Sequence, residues 1–185
     1  MLGFFSVDLE EICTNSVIVD AISELFGEQA VLFKEKINFK LPGAGGFEPH
    51  QDQQAGWGVY DDLFINALVS IDESTKENGA LQIANTNYAS NIKLIGSEWT
   101  PLTAEQIAAF EFETVCTQPG DVIFFDSYVP HKSDPNLTDK ARRLMYLTYN
   151  AQRKGDFRKQ YYADKRKSYP PDCEREQSKD YHYRV

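Results

Sequence analysis

The chain has 185 residues, of which 42% are hydrophobic and 13% aromatic, so it can bury a substantial core but is too short for two ordinary domains. Its formal net charge of -9 disfavours nucleic acids and membrane surfaces as partners, because an acidic surface repels phosphate groups. The sequence has no apolar run of the roughly 20 residues that cross a bilayer, no basic signal-peptide region and no paired cysteines. We therefore expect one globular, cytoplasmic domain over residues 1–185 with a small-molecule partner.

The first predicted elements are a helix and a strand. Residues 17–27 place apolar side chains at helical spacing and end at a glycine, which favours a helix. In residues 31–41 the period changes to two, which predicts a strand. One face of this strand carries Phe33, Ile37, Phe39 and Leu41, and the other carries Lys34, Lys36, Asn38 and Lys40.

Six more segments have strand-like composition, and turn-forming residues separate several of them. They are residues 63–71, 80–84, 91–95, 112–116, 121–125 and 143–150, with turns at Glu77-Asn78-Gly79, Pro119-Gly120 and Asp134-Pro135-Asn136. Helices are predicted at 103–110, where Thr103 and Gln106 have capping-box spacing, and at 156–167, which is highly charged. Many short strands with few helices indicate an all-β sandwich or barrel.

Two of the three histidines are candidate metal ligands. His50 and Asp52 are two residues apart, and on an extended strand such positions share one face, so both could reach one ion. The alternative is a solvated strand edge. His131 lies 131 − 50 = 81 residues further on, behind a turn and a strand, so a second strand must deliver it. Two imidazoles and one carboxylate suit a divalent metal such as Fe(II) and leave three coordination positions open.

A basic residue near the second histidine is a candidate anchor for an anionic cosubstrate. Arg142 lies 142 − 131 = 11 residues beyond His131, and a guanidinium binds a carboxylate through two parallel hydrogen bonds. If the strand includes both arginines, Arg143 points to the opposite face, so only one of them can serve. Ser133 could donate its hydroxyl to the same carboxylate. The alternative is an ordinary surface pair of arginines.

These motifs together resemble the phytanoyl-CoA dioxygenase family of Fe(II)/2-oxoglutarate oxygenases. The matching segments follow the family order from about residue 31 to 150. They are Lys36-Ile37-Asn38-Phe39-Lys40-Leu41-Pro42, Pro49-His50-Gln51-Asp52, Glu77-Asn78-Gly79-Ala80-Leu81, Pro119-Gly120-Asp121, Pro130-His131-Lys132-Ser133 and Arg142-Arg143.

The resemblance implies a double-stranded β-helix, or jelly roll, which oxidises a small molecule with Fe(II), 2-oxoglutarate and O2. It assigns His50, Asp52 and His131 to the iron, and Arg142 with Ser133 to the cosubstrate. The polar face of strand 31–41 would then point inward, with Lys36 and Asn38 beside the cosubstrate; a solvent-facing edge strand is the alternative. A carboxylate at position 52 implies hydroxylation, because halogenating relatives have a small residue there.

The sequence also departs from the family pattern. Only about 30 residues precede the first matched strand, which implies a shortened N-terminal region, and Ala84-Asn85-Thr86-Asn87 replaces the usual Pro-Gly-Ser-His. Trp57, Tyr60, Asn66 and Leu68 are candidates for the pocket wall or for core packing.

Other functions and roles stay open at this stage. Nearby lysines suit an anionic substrate or the cosubstrate itself. His182 has no partner at ligand-like spacing, so no role is expected for it. The competing functions are a non-enzymatic metal-binding barrel and a zinc hydrolase that uses the same three ligands.

Overall fold

The computed structural model describes residues 7–85, 94–98 and 100–181. The helices are α1 (Val7–Thr14), α2 (Val17–Phe26), α3 (Ala104–Ile107) and α4 (Arg158–Ser168). The strands are β1 (Ala30–Lys40), β2 (Phe47–His50), β3 (Ile65–Ser70), β4 (Leu81–Asn85), β5 (Glu111–Val115), β6 (Val122–Asp126), β7 (His131–Ser133) and β8 (Arg142–Ala151). Short 3-10 helices cover Asp52–Ala55, Trp57–Val59, Gln152–Lys154 and Asp172–Glu174.

The strands form two four-stranded antiparallel sheets. The first has the order β1-β8-β3-β6 and the second has the order β2-β7-β4-β5. Side chains of both sheets meet between them in a cluster that includes Leu68, Leu81, Phe125 and Leu144. Two facing antiparallel sheets of four strands are the jelly roll that the family resemblance implies, and the prediction of an all-β fold is confirmed.

The first sheet is covered on its outer face by α1 and α2. Ile18, Val19 and Ile22 of α2 are buried in one apolar cluster with Leu147 and Tyr149 of β8. The Ser16 side chain caps the start of α2, and Gly27 ends it with a φ of 70°, a left-handed conformation that glycine adopts without strain. The predicted helix at 17–27 is therefore confirmed to within one residue.

A β-bulge in β1 changes the predicted assignment of faces. Leu32 lies opposite Tyr149 and Lys34 lies opposite Thr148, so Phe33 is the extra residue. Ile37 consequently packs with Leu32 against the helices, whereas Phe33 is buried in a different aromatic cluster. The prediction that Phe33 and Ile37 share one face was wrong, because simple alternation does not hold across a bulge.

Most of the other predicted elements are present with shifted ends. Strands β3, β4, β5, β6 and β8 correspond to the predicted segments, and α4 corresponds to 156–167. Helix α3 keeps the predicted capping box but is shorter than 103–110. Residues 94 and 95 are not in a strand, and the rest of the predicted strand 91–95 lies outside the described residues. Helix α1 was not predicted. Strands carrying His50 and His131 were expected, but the bounds of β2 and β7 were not predicted, because these strands have only four and three residues, too few for a clear alternation.

Two further findings concern membranes and thiols. None of the helices in the described ranges combines the length and apolar character needed to cross a bilayer. Cys13 is a buried free thiol, and Cys116 and Cys173 are exposed free thiols, as their sequence spacing predicts.

Candidate functional site

The structure brings His50, Asp52 and His131 together at one end of the second sheet. His50 ends β2 and His131 begins β7, and the two residues lie directly opposite each other in the antiparallel pair. Their ring centroids are 4.3 Å apart. One donor atom from each of the three side chains lies within 4.8 Å of the other two, and Asp52 and His131 are buried. Strand pairing therefore brings together two histidines that are 81 residues apart in the sequence.

Asp52 reaches this point by a different route from the predicted one. The strand ends at His50, and Asp52 is the first residue of a 3-10 helix. The Gln51 and Gln54 side chains form a reciprocal capping box that fixes the start of this helix. The prediction that His50 and Asp52 share the face of one extended strand was wrong. A tight turn between them, rather than strand alternation, makes the side chains converge.

Hydrogen bonds from neighbouring groups orient the three side chains. Nδ1 of His50 lies 2.7 Å from the carbonyl oxygen of Glu48, and Nδ1 of His131 lies 2.9 Å from that of Val129. A ring nitrogen that donates to a carbonyl carries the proton, so Nε2 of each ring is the atom that could coordinate a metal.

A chain of two hydrogen bonds supports the carboxylate. Asn66 donates its amide N–H to Oδ2 of Asp52 over 2.9 Å. The Asn66 carbonyl in turn accepts from the Thr148 hydroxyl over 2.7 Å. Both supporting residues are buried, and both lie on strands of the first sheet. The carboxylate orientation is thereby tied to the barrel interior.

The protonation of the site is set by burial and by mutual charge. Burial acts to raise the pKa of Asp52, but the charges of His131, Lys34 and His50 outweigh it and hold the pKa at about 2. Burial, followed by the charge of His50, lowers the pKa of His131 to about 4. At neutral pH, therefore, Asp52 is ionised and His131 is neutral, which are the forms that bind metal.

A cavity of about 230 Å³ opens beside the three side chains. All three line it, as do Lys36, Asn38 and Ser133, the residues that the family resemblance places beside the cosubstrate. Leu81 and Tyr146 add apolar and aromatic surface to its wall. The cavity is thus bounded by both sheets, with the candidate ligands on one side.

Two buried cations lie next to this cavity, at the end of β1 and the start of β8. Arg142 is 2% exposed; its Nη2 donates to the Gly79 carbonyl over 2.9 Å, and its buried Nε has no hydrogen-bond partner among the described residues. Lys40 is also 2% exposed, and its ammonium donates to the Ser133 hydroxyl over 2.8 Å and to the Asp134 carbonyl. Burial, followed by the charge of Arg142, lowers the pKa of Lys40 to about 8.

The sequence analysis placed Lys40 on the polar face of the strand but gave it no role. Its position at the end of that face was the available signal. Arg143, the other candidate anchor, lies on the outer face of β8 and forms a hydrogen-bonded ion pair with Asp72 over 2.7 Å. Arg142 is therefore the arginine of this pair that faces inward.

Comparison with known proteins agrees with this geometry. A family model described as phytanoyl-CoA dioxygenase (PhyH) matches residues 5–144, three quarters of the chain. The chain belongs to the phytanoyl-CoA dioxygenase family. The resemblance inferred from the sequence motifs is thereby confirmed.

Two curated relatives are similar over most of this chain. It is 44% identical over 168 residues to the 2-aminoethylphosphonate dioxygenase of uncultured bacterium HF130_AEPn_1. This match covers 90% of this chain and 63% of that protein. It is 40% identical over 165 residues to the methylphosphonate hydroxylase of Gimesia maris. This match covers 89% of this chain and 62% of that protein. The chain therefore spans less than two thirds of the length of these two relatives.

A solved structure supports the fold assignment. The apo form of EctD from S. alaskensis is 25% identical and superposes with a TM-score of 0.67, over 79% of this chain and 54% of that chain. The jelly roll is therefore shared with a structurally characterised protein.

The remaining candidate residues divide between the core and the site. Trp57 and Tyr60 pack in an aromatic cluster with Phe33, and Leu68 lies in the core between the sheets. Asn66, the fourth of these candidates, contacts the candidate ligand Asp52. The signal in the sequence is that Asn66 is a single amide in the largely apolar strand β3. His182 lies outside the described residues.

Proposed function

We propose that this chain carries out the Fe(II)- and 2-oxoglutarate-dependent hydroxylation of a small organophosphonate, consuming O2 and releasing succinate and CO2. The observation that carries the proposal is the convergence of two imidazoles and one carboxylate, delivered by separate elements, at one cavity. Family membership gives the same reaction class independently.

The donor set fits a ferrous ion. Nε2 of His131 and Oδ2 of Asp52 are 3.9 Å apart, so a metal at roughly 2.1 Å from each donor can contact both. Two neutral imidazoles and one carboxylate are the ligands of non-haem iron oxygenases, and they leave adjacent coordination positions for further ligands. Bound Fe(II), 2-oxoglutarate and O2 together supply the oxidation of an unreactive C–H bond.

Arg142 and Lys40 are the proposed binding site for the distal carboxylate of 2-oxoglutarate. Within the part of the chain that the structure describes, the buried Nε of Arg142 lacks an acceptor, and an incoming carboxylate would satisfy this donor. Ser133 lines the cavity and already accepts a hydrogen bond from Lys40, so it connects these cations to the cavity. Asn38 lines the cavity between this end and the metal ligands.

The rest of the cavity orients the substrate and excludes water. Leu81 and the Tyr146 ring form part of its wall, and Leu81 is almost fully buried. Asp52 fills the third protein position on the metal, which favours hydroxylation over halogenation. The names of the two relatives support a small phosphonate as substrate.

The direct test is 2-oxoglutarate turnover by the purified chain. Under anaerobic conditions, Fe(II) and 2-oxoglutarate together should produce the weak visible charge-transfer band of the chelate. On addition of O2 and methylphosphonate or 2-aminoethylphosphonate, succinate should form in proportion to hydroxylated product measured by ³¹P NMR. Asp52→Ala should abolish both signals. A band without any turnover would favour a non-enzymatic metal-binding barrel, and activity that needs zinc and ignores 2-oxoglutarate would favour a hydrolase.

Arg142 and Arg143 form a matched pair for the cosubstrate site. Arg142→Met should weaken 2-oxoglutarate binding roughly 10- to 150-fold, because a hydrogen bond between charged groups contributes about 1.5–3 kcal/mol. Arg143→Met should leave it unchanged, since that guanidinium pairs with Asp72 on the outer face. Equal losses in the two variants would contradict the assignment.

A further inference from the structure

We propose that Lys34, Lys36 and Lys165 form a subsite that holds the phosphonate group of the substrate, on the side of the metal ligands away from Arg142. The inference deepens the proposed function and rests on it. It also reassigns Lys36, which the family resemblance places beside the cosubstrate.

Two of the three ammonium groups lie near the same aromatic ring, and the third, Nζ of Lys36, lies 5.0 Å from the Tyr146 ring in the cavity wall. Lys34 is 6% exposed, and its Nζ lies 3.9 Å from the ring centroid of Trp57 and 6.0 Å from that of Tyr161. Nζ of Lys165, from α4, lies 5.7 Å from the same Tyr161 ring. Lys36 lines the cavity, and its charge acts on both of the other lysines.

Burying the charged ammonium group of Lys34 is energetically costly unless an anion lies beside it. Burial, followed by the charge of Lys36, lowers the pKa of Lys34 well below its ordinary value. Within the described ranges, no carboxylate forms an ion pair with Lys34 or Lys36. Asp52 is the carboxylate that acts on both, and its charge is directed to the metal. A buried cation such as Lys34, without a paired carboxylate in the described ranges, is expected where a ligand supplies the counterion.

Distance along β1 separates this cluster from the cosubstrate carboxylate. Lys34 and Lys40 are six residues apart on the strand beyond the bulge, which corresponds to roughly 20 Å at 3.3 Å per residue. A five-carbon diacid that chelates the metal and reaches Lys40 cannot also reach Lys34. Lys34 therefore needs a second anion, and the substrate is the molecule that can supply one on that side.

The chemistry favours a phosphonate over a singly charged group. A phosphonate resembles a phosphate ester in presenting three oxygens and up to two negative charges near neutral pH. Three ammonium groups can each donate to a different oxygen, and lysine binds such groups as a point charge. The rings of Trp57 and Tyr161 lie next to the ammonium groups of Lys34 and Lys165, and these cation–π contacts help to hold the two groups in place.

The test measures binding separately from turnover. The full chain, loaded anaerobically with Fe(II) and 2-oxoglutarate, is titrated with methylphosphonate by calorimetry, and 2-oxoglutarate affinity is followed by the charge-transfer band. Lys34→Met and Lys36→Met should each raise the methylphosphonate Kd at least tenfold and change the 2-oxoglutarate Kd less than twofold. Lys159→Met, on the exposed side of α4, is the control and should change neither.

Further measurements test whether the lysines recognise a doubly charged group and whether they act on the substrate rather than on 2-oxoglutarate. Methanesulfonate, a matched single anion, should bind the wild-type chain at least tenfold more weakly than methylphosphonate. Equal binding of the two, or a loss of 2-oxoglutarate rather than methylphosphonate affinity in the lysine variants, would overturn the proposal. Lys34→Met should fold with an unchanged or higher Tm, because an apolar side chain replaces a buried cation over Trp57.

The outcomes also separate this subsite from the proposed function. Wild-type chain that binds methylphosphonate through the lysines but forms no succinate would support the subsite and refute the proposed activity. Methylphosphonate turnover by the wild-type chain, with a methylphosphonate Kd that is unchanged in Lys34→Met and Lys36→Met, would refute the subsite and leave the proposed function in place.

Discussion

The support of Asp52 by Asn66 gives the most direct test of how the fold prepares the proposed metal site. In Asn66→Ala, the buried carboxylate loses the N–H donor that lies 2.9 Å from its Oδ2. A hydrogen bond to a charged group contributes about 1.5–3 kcal/mol, which corresponds to metal binding weakened roughly 10- to 150-fold. Residues that orient metal ligands typically contribute about 10- to 100-fold, in the same range.

Thr148→Val is the matched variant for this test. It removes the hydroxyl that donates to Asn66 over 2.7 Å but leaves the contact between Asn66 and Asp52 in place. Loss of a neutral hydrogen bond of about 0.5–1.5 kcal/mol predicts a smaller effect, roughly 2- to 12-fold. Because Thr148 acts through Asn66, the variant that combines Asn66→Ala with Thr148→Val should bind metal as tightly as Asn66→Ala alone.

The assay is an anaerobic Fe(II) titration against a competing chelator, repeated with Mn(II) to exclude oxidation artefacts. Thermal unfolding of the metal-free variants identifies any general loss of structure. Metal affinity of Asn66→Ala within twofold of wild type, or additive losses in the double variant, would refute the reasoning.

Two further predictions concern stability. Gly79 has a φ of +75°, and a Cβ there would lie 2.3 Å from the Asp134 carbonyl oxygen and 2.7 Å from Nζ of Lys40, so Gly79→Ala should destabilise the fold by more than the roughly 1–2 kcal/mol of a left-handed residue. Gly43→Ala, with a φ of +72° and open space around it, should cost only that amount, and equal losses in Tm would contradict this account. Because burial lowers the pKa of His131 from 6.5 to about 4, the unfolded chain binds a proton over this pH range that the folded chain does not. The free energy of unfolding of the metal-free chain, measured in urea, should therefore be highest above about pH 6.5 and fall by on the order of 3 kcal/mol by about pH 4. If the same fall with pH persists in His131→Gln, the prediction is wrong.

Much of the fold was readable from local patterns. Helix α2 was predicted closely because its apolar period and its terminal glycine both act over a few neighbouring residues. Alternation located β1, and strand-like composition located β3 and β8, for the same reason. The bulge at Phe33 was not predictable in this way, because it exists only in the pairing of β1 with β8.

The sequence by itself determined the chemical groups of the candidate site: two histidines, an aspartate and a nearby arginine, in the order of a known family. Tertiary structure decided how they meet. Strand pairing sets His50 opposite His131, a 3-10 turn directs Asp52 to the same point, and β8 turns Arg142 inward and Arg143 outward.

Tertiary structure also decided what surrounds these groups. The roles of Asn66, Lys40 and Lys34 depend on neighbours that are distant in the chain, and a single sequence records no such contacts. Local patterns specify elements and residue types, because they reflect short-range backbone and burial preferences. The geometry of a site depends on register and packing between strands that only the folded chain brings together.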